Sequence, residues 1–132
     1  MPDQTPRLLF ICTQNAGRSV LGAALARTRG GDAIHVESGG VRPAAAANPV
    51  TIASLAEIGI DDSAHVPSAV TPERVADSDV VIAMKPGLDL PQVDSVRYET
   101  WTLPDPDGWD VESIRELRDD VDKRVQELLK SL

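Results

Sequence analysis

Two short apolar runs restrict what this chain can become more than any other feature. Residues 7–12 read Arg-Leu-Leu-Phe-Ile-Cys and residues 80–84 read Val-Val-Ile-Ala-Met. Each is short, and neither alternates polar with apolar residues. That pattern predicts a strand covered on both faces, the environment of a parallel sheet. Parallel neighbours cannot be joined by a hairpin, so helical crossovers must lie between the strands.

The intervening sequence supplies them. Residues 19–28 carry Val20, Leu21, Ala24 and Leu25 on one face. Asn48-Pro49 reads as an N-cap with proline in the first helical position, followed by a stripe of Ile52, Leu55 and Ala56 and a stop at Gly59. Thr71-Pro72 opens a further short helix. In the last segment Val111, Ile114, Leu117, Val121, Val125 and Leu128 recur in steps of three and four, and Glu112, Glu116, Asp119, Asp120, Asp122 and Glu127 are expected on its solvated face. Residues 34–38 alternate, with Ile34, Val36 and Ser38 opposed to His35 and Glu37, which suits an edge strand; residues 95–101 form a weaker strand pattern. The expected fold is α/β, a parallel sheet with helices on both faces. With 132 residues, 42% of them apolar, the chain can fill one core but not two, so residues 1–132 are read as one domain.

Charge narrows the partners. Twenty-one acidic against thirteen basic residues give a net charge of −8, a field that repels nucleic acid and anionic membranes. No run approaches the length of a bilayer span, and the opening Met1-Pro2-Asp3-Gln4 lacks the order of a signal peptide. A soluble, cytoplasmic protein is expected. The single cysteine, Cys12, excludes an internal disulfide and any multi-cysteine zinc site. His35 and His65 are isolated from any carboxylate spacing that would hold a metal, so no metal is expected; His35 is read as a solvent-facing strand residue and His65 as a loop residue.

Ligands of parallel sheets bind beyond the carboxyl ends of the strands. There, Cys12-Thr13-Gln14-Asn15-Ala16-Gly17-Arg18-Ser19 joins a buried strand to a helix. Such a turn aims the backbone N–H groups of Thr13, Gln14, Asn15, Ala16, Gly17 and Arg18 toward its centre. The helix start adds partial positive charge, and Arg18 adds a planar donor fork. The result is a cradle for a tetrahedral oxyanion beside a nucleophilic sulfur, with the Ser19 hydroxyl able to donate to that sulfur. Asn15 can lock the loop through its amide, and Gly17 can take up geometry that a side chain would block.

The Cys-x5-Arg-Ser spacing resembles the signature of the low-molecular-weight protein tyrosine phosphatase superfamily, which also contains the arsenate reductases coupled to thioredoxin. The likeness continues through Glu37-Ser38-Gly39-Gly40, Asn48-Pro49, Glu57-Ile58-Gly59-Ile60-Asp61, residues 80–84 and Trp101-Thr102-Leu103-Pro104-Asp105-Pro106. It implies a four-stranded parallel sheet, Cys12 as nucleophile, residues 13–18 as the oxyanion loop and Ser38 as a support beneath it. The aspartate of the family's Asp-Pro pair maps onto Asp105, which would protonate the departing oxygen. Asp107, beside it, is read as a turn residue.

Two departures select a branch. The phosphatases wall their pocket with aromatic rings, whereas Asp107 and Gly108 follow the Asp-Pro pair here and the alanine-rich loop 41–49 holds no ring. Only Trp109 is left as a possible wall. A pocket without stacking surface suits a small inorganic oxyanion, and the resemblance is nearer the arsenate reductases. The thioredoxin-coupled reductases, however, carry two further cysteines after the third strand. This chain has Lys85, Pro86 and Gly87 there, so an internal thiol relay is impossible. The resemblance therefore implies arsenate reduction completed by an external thiol such as mycothiol or glutathione, with a glutaredoxin-like redox partner. The alternatives are a phosphatase working through a phosphocysteine and a non-catalytic oxyanion-binding module; the latter has no use for an intact acid.

Overall fold

The computed structural model describes residues 5–132; Met1–Gln4, the residues read against a signal peptide, lie outside them. Four strands, β1 (Arg7–Cys12), β2 (His35–Gly40), β3 (Val80–Ala83) and β4 (Arg97–Thr100), form one all-parallel sheet in the order β2-β1-β3-β4. The helices are α1 (Arg18–Gly30), α2 (Pro49–Ala56), α3 (Pro72–Ala76) and α4 (Val111–Lys130). No helix among the described residues is long and apolar enough to cross a membrane.

The two apolar runs become the inner strands. From β1, Leu8, Phe10 and Cys12 face a core shared with Val20 and Leu21 of α1 and Leu117 and Val121 of α4. Leu9 and Ile11 face a smaller cluster with Val75 of α3 and Val96. Burial on both faces explains why β1 could not alternate.

Local chemistry sets the helix starts. The Asn48 side chain accepts from Val50 N (2.9 Å), Thr71 from Arg74 N (3.2 Å) and Asp110 from Ser113 N (2.8 Å), each satisfying an amide that the helix leaves unpaired.

Several expectations are corrected. The first helix runs from Arg18 to Gly30, beyond the 19–28 window, because nothing breaks it before the Gly30-Gly31 pair. The alternating strand extends through Gly39 and Gly40, which pair with Ile11 and Cys12; the ladder outweighs the low strand propensity of glycine. β4 is shorter than residues 95–101. On α2 the buried face is Thr51, Ser54 and Leu55, whereas Ile52 is half-buried and Ala56 exposed, because Thr51 lies beside Gly17 of the cysteine loop and Ser54 meets Arg118 of α4. On α4, Arg118 is buried and donates to the Ser54 carbonyl and to Glu57, each at 2.9 Å, while Asp122 pairs with Arg29 of α1. The last helix is therefore clipped to two others by ions. On β2 the outward carbonyls are also occupied: Arg27 donates to Val36 O (3.3 Å) and Arg74 to Ser38 O (2.8 Å).

These clips carry a pH dependence. Hydrogen bonds from Arg115 and then Arg118 hold the Glu57 carboxyl below its ordinary range, and the bond from Arg29 does the same for Asp122. A carboxyl depressed by folding stabilises the fold above its unfolded value, and that contribution is lost as pH falls through the folded value. The melting temperature should therefore fall on acidification below about pH 4, the ordinary carboxylate value. Glu57→Gln should melt lower than the natural protein at pH 7 and converge with it at the acid end. Parallel melting curves for the two proteins across the whole range would contradict this.

Candidate active site

Strand order places the site. The chain leaves β1 for β2 on one side and returns to β3 on the other, so the carboxyl ends of β1 and β3 flank a crevice. Cys12 ends β1, residues 13–17 cross the crevice, and α1 begins at Arg18.

Cys12 is buried, and its Sγ lies 3.0 Å from Ser19 Oγ and accepts from Asn15 N at 3.3 Å. Asn15 Nδ2 donates to the same Ser19 oxygen at 2.8 Å. With that lone pair occupied, the Ser19 hydroxyl hydrogen is free to point at sulfur. Two donors thus converge on Sγ.

Asn15 is itself the keystone of the loop. It is the non-glycine residue at positive φ (+53°) among the described residues, and it is fully buried. Its Oδ1 accepts from Ser68 N (3.0 Å), and its carbonyl lies 2.9 Å from His65 Nε2. His65, read from the sequence as a plain loop residue, therefore touches the back of the cysteine loop. No sequence signal marks it, because fifty residues separate it from Asn15.

At Gly17 space is tight, since a Cβ there would lie 3.0 Å from Pro106 Cγ. Pro106 is buried against Gly17, and Arg18 Nη1 donates to Leu103 O (3.2 Å). Those contacts on either side of Asp105 bring the Asp-Pro segment to the loop. Asp105 is exposed, and its Oδ1 accepts from Asp107 N at 3.0 Å, an Asx turn.

A cavity of about 170 Å³ is lined by Cys12, Thr13, Gln14, Gly17, Arg18, Lys85 and Asp105. Lys85 was not among the expected site residues; it follows β3, and only the strand order brings it beside Cys12. Ala16, within the loop, is buried and lines a neighbouring cavity instead. Ser38 is buried two residues before the Cys12–Gly40 pair, itself pairing with Phe10, and its carbonyl accepts from Ser68 Oγ and Arg74. No cluster of three or more potential metal ligands occurs among the described residues.

Gly40 was also missed. It pairs with Cys12, and a Cβ there would lie 2.8–2.9 Å from backbone atoms of Thr13, Gln14 and Asn15. Backbone cannot swing aside as a flexible side chain can. Gly40→Ala should therefore displace the loop, costing about 1–3 kcal/mol as overpacking does. Phosphate should then no longer protect Cys12 from alkylation. An unchanged denaturation midpoint with full protection would show that the loop tolerates the methyl group.

Comparison with known proteins agrees with this geometry. The low molecular weight phosphotyrosine protein phosphatase family matches residues 7–132, and the chain belongs to that family. A glutaredoxin arsenate reductase from Synechocystis is 34% identical over 126 residues, covering 93% of this chain and 95% of that protein. A solved arsenate reductase in a phosphate-binding state is 33% identical, with a TM-score of 0.87 over 96% of this chain and 98% of its own. The thioredoxin-dependent arsenate reductase of Corynebacterium glutamicum is 34% identical with a TM-score of 0.87; this chain spans 99% of itself but 63% of that longer protein. A low molecular weight protein tyrosine phosphatase from T. tengcongensis shares the fold (TM-score 0.87) at 22% identity.

Proposed function

We propose that the protein is an arsenate reductase that forms a bond between Cys12 sulfur and arsenic and relies on an external thiol for reduction. The observation that carries this reading is the small cavity over Cys12, which gathers Arg18, Lys85 and Asp105 around room for one oxyanion and has no aromatic ring in its lining. Relatives named arsenate reductase at 33–34% identity support it.

In this reading Cys12 thiolate attacks arsenic, Asp105 protonates the oxygen that leaves as water, and the loop amides with Arg18 hold the remaining oxygens. Lys85 adds a second positive charge. Ser19 and Asn15 orient sulfur, and Ser38 supports the loop from below. Arsenic is still at +5 in the adduct. Because Cys12 is buried, with Ser19 and Asn15 packed at its sulfur, the incoming thiolate attacks arsenic from the open side. A new sulfur–arsenic bond forms and Cys12 departs as thiolate. A second thiol then attacks the sulfur bound to arsenic, a disulfide forms, and the electron pair of the broken bond takes arsenic to +3 as arsenite. A glutaredoxin-like protein is the class of partner that would supply the second thiol.

The test is incubation of the pure protein with arsenate and mycothiol, glutathione or thioredoxin systems, alongside an aryl phosphate. Arsenite release that needs one small thiol is expected. Phosphate release from the aryl ester with no arsenite from any system would replace this reading with the phosphatase one.

A further inference from the structure

The sheet itself holds Lys85 at the cavity over Cys12. Just past β3 the Met84 amide donates to Ile11 O at 2.8 Å, and the chain then turns at Gly87, whose φ is +81°. Lys85 lies between that bond and that turn, so it emerges next to the end of β1. It is half-buried and lines the cavity together with Arg18 and Asp105. Among the described residues its ammonium has neither an ion-pair partner nor a hydrogen bond, although Asp105 lines the same cavity. Arg74 and Arg115, by contrast, are paired with Glu37 and Glu57. Withdrawing part of an ammonium from water without a partner costs free energy, and an anion entering the cavity offsets that cost.

We propose that Lys85 is a specificity-determining residue: it selects a free tetrahedral oxyanion over its esters by donating to the one oxygen that the cysteine loop leaves uncovered. The proposal rests on the reading above in taking arsenate as the substrate. Of the residues lining the cavity, Cys12, Thr13, Gln14, Gly17 and Arg18 belong to the loop and the start of α1, and only Lys85 and Asp105 come from elsewhere in the chain. The loop amides and Arg18 account for three oxygens. Attack by sulfur in line with the departing oxygen turns the fourth away from Cys12, toward the walls that the loop does not supply. Those walls are Asp105, which delivers the proton, and Lys85. A free dianion and an ester dianion carry the same charge, so the choice between them has to come from contact with that fourth oxygen. In free arsenate or phosphate it accepts a charge-assisted hydrogen bond from the ammonium. In an ester the same atom bears a carbon substituent, which lowers its basicity and has to pass the lysine side chain to reach solvent. Arg18 cannot make this distinction: one nitrogen is committed to Leu103 O, and the oxygens it holds are common to esters and free anions.

The test changes only that oxygen. Methylphosphonate has the shape of phosphate and, in mildly alkaline solution, its dianionic charge, but a methyl group replaces the fourth oxygen. Each ligand is titrated against alkylation of Cys12 by iodoacetamide, and the concentration giving half protection is read for the natural protein, Lys85→Met and Lys85→Arg. In the natural protein phosphate should protect at a concentration at least about tenfold below that of methylphosphonate, the worth of one hydrogen bond to a charged group. Lys85→Met keeps the length of the side chain and should bring the two ligands within about twofold of each other, chiefly by weakening phosphate. Lys85→Arg keeps the charge and should retain most of the preference. In turnover Lys85→Met should raise KM for arsenate by about tenfold and leave KM for the external thiol unchanged. Lys85→Gln repeats the comparison if methionine lowers the melting temperature. Equal protection by the two ligands in the natural protein, or a preference for phosphate that survives in Lys85→Met, would overturn the proposal. Loss of the preference in Lys85→Met, with no arsenite from any thiol system, would leave the role of Lys85 standing and count against the reaction assigned above.

Discussion

Asp105→Asn is expected to slow formation of the bond between Cys12 and arsenic by about 10²–10⁴-fold, the usual worth of a positioned acid. The substitution keeps the side-chain size, and its carbonyl oxygen can still accept the Asp107 amide that the carboxylate accepts now. The turn therefore survives while the proton is lost. Asp107 donates that amide but does not line the cavity over Cys12, so Asp107→Asn should leave the step near its natural rate. Single-turnover measurement with arsenate isolates this step from whichever thiol follows. Equal losses in the two variants would mean that residues 104–108 matter only as a turn, and the acid would have to be another group.

Arg18→Lys should cost a comparable amount, about 10²–10³-fold in turnover, the range found when one donor to a developing oxyanion is removed. The guanidinium has two tasks here. One nitrogen donates to Leu103 O at 3.2 Å, which ties the segment before Asp105 to the loop, and the group lines the cavity floor. A lysine ammonium is a point charge and cannot hold the carbonyl and a planar pair of oxygens together. The loss should therefore appear both in arsenate affinity and in the rate of adduct formation, with the circular dichroism and melting temperature little changed. Turnover close to natural in this variant would remove Arg18 from the site.

How much of this was legible in the sequence follows from how far apart the interacting residues are. The inner strands announced themselves because burial on both faces forces a continuous apolar run, and the Asn48-Pro49 and Thr71-Pro72 helix starts because capping is decided within a few residues. The cysteine loop was legible for the same reason: Cys12, Asn15, Arg18 and Ser19 lie within eight positions. Lys85, His65 and Gly40 were not, since they reach the loop only through strand order, a fifty-residue connection and a ladder partner respectively. Asp122 read as surface charge and Arg118 drew no reading, because a helix pattern marks its apolar face but does not say which charged residues have a partner across the interface.

The outer margin of β2 bears on how the protein behaves among its own copies. Its outward carbonyls at Val36 and Ser38 are occupied by the guanidinium groups of Arg27 and Arg74, and Gly40 exchanges backbone bonds with Ser68 and Val70. An open strand margin is a template on which another chain can add a strand, the first step toward aggregation. Here a newcomer would have to displace two arginines and a backbone bridge before pairing with those carbonyls. The contacts on the outer side of β2 thus stand against strand addition at those positions as well as holding the strand beside Cys12.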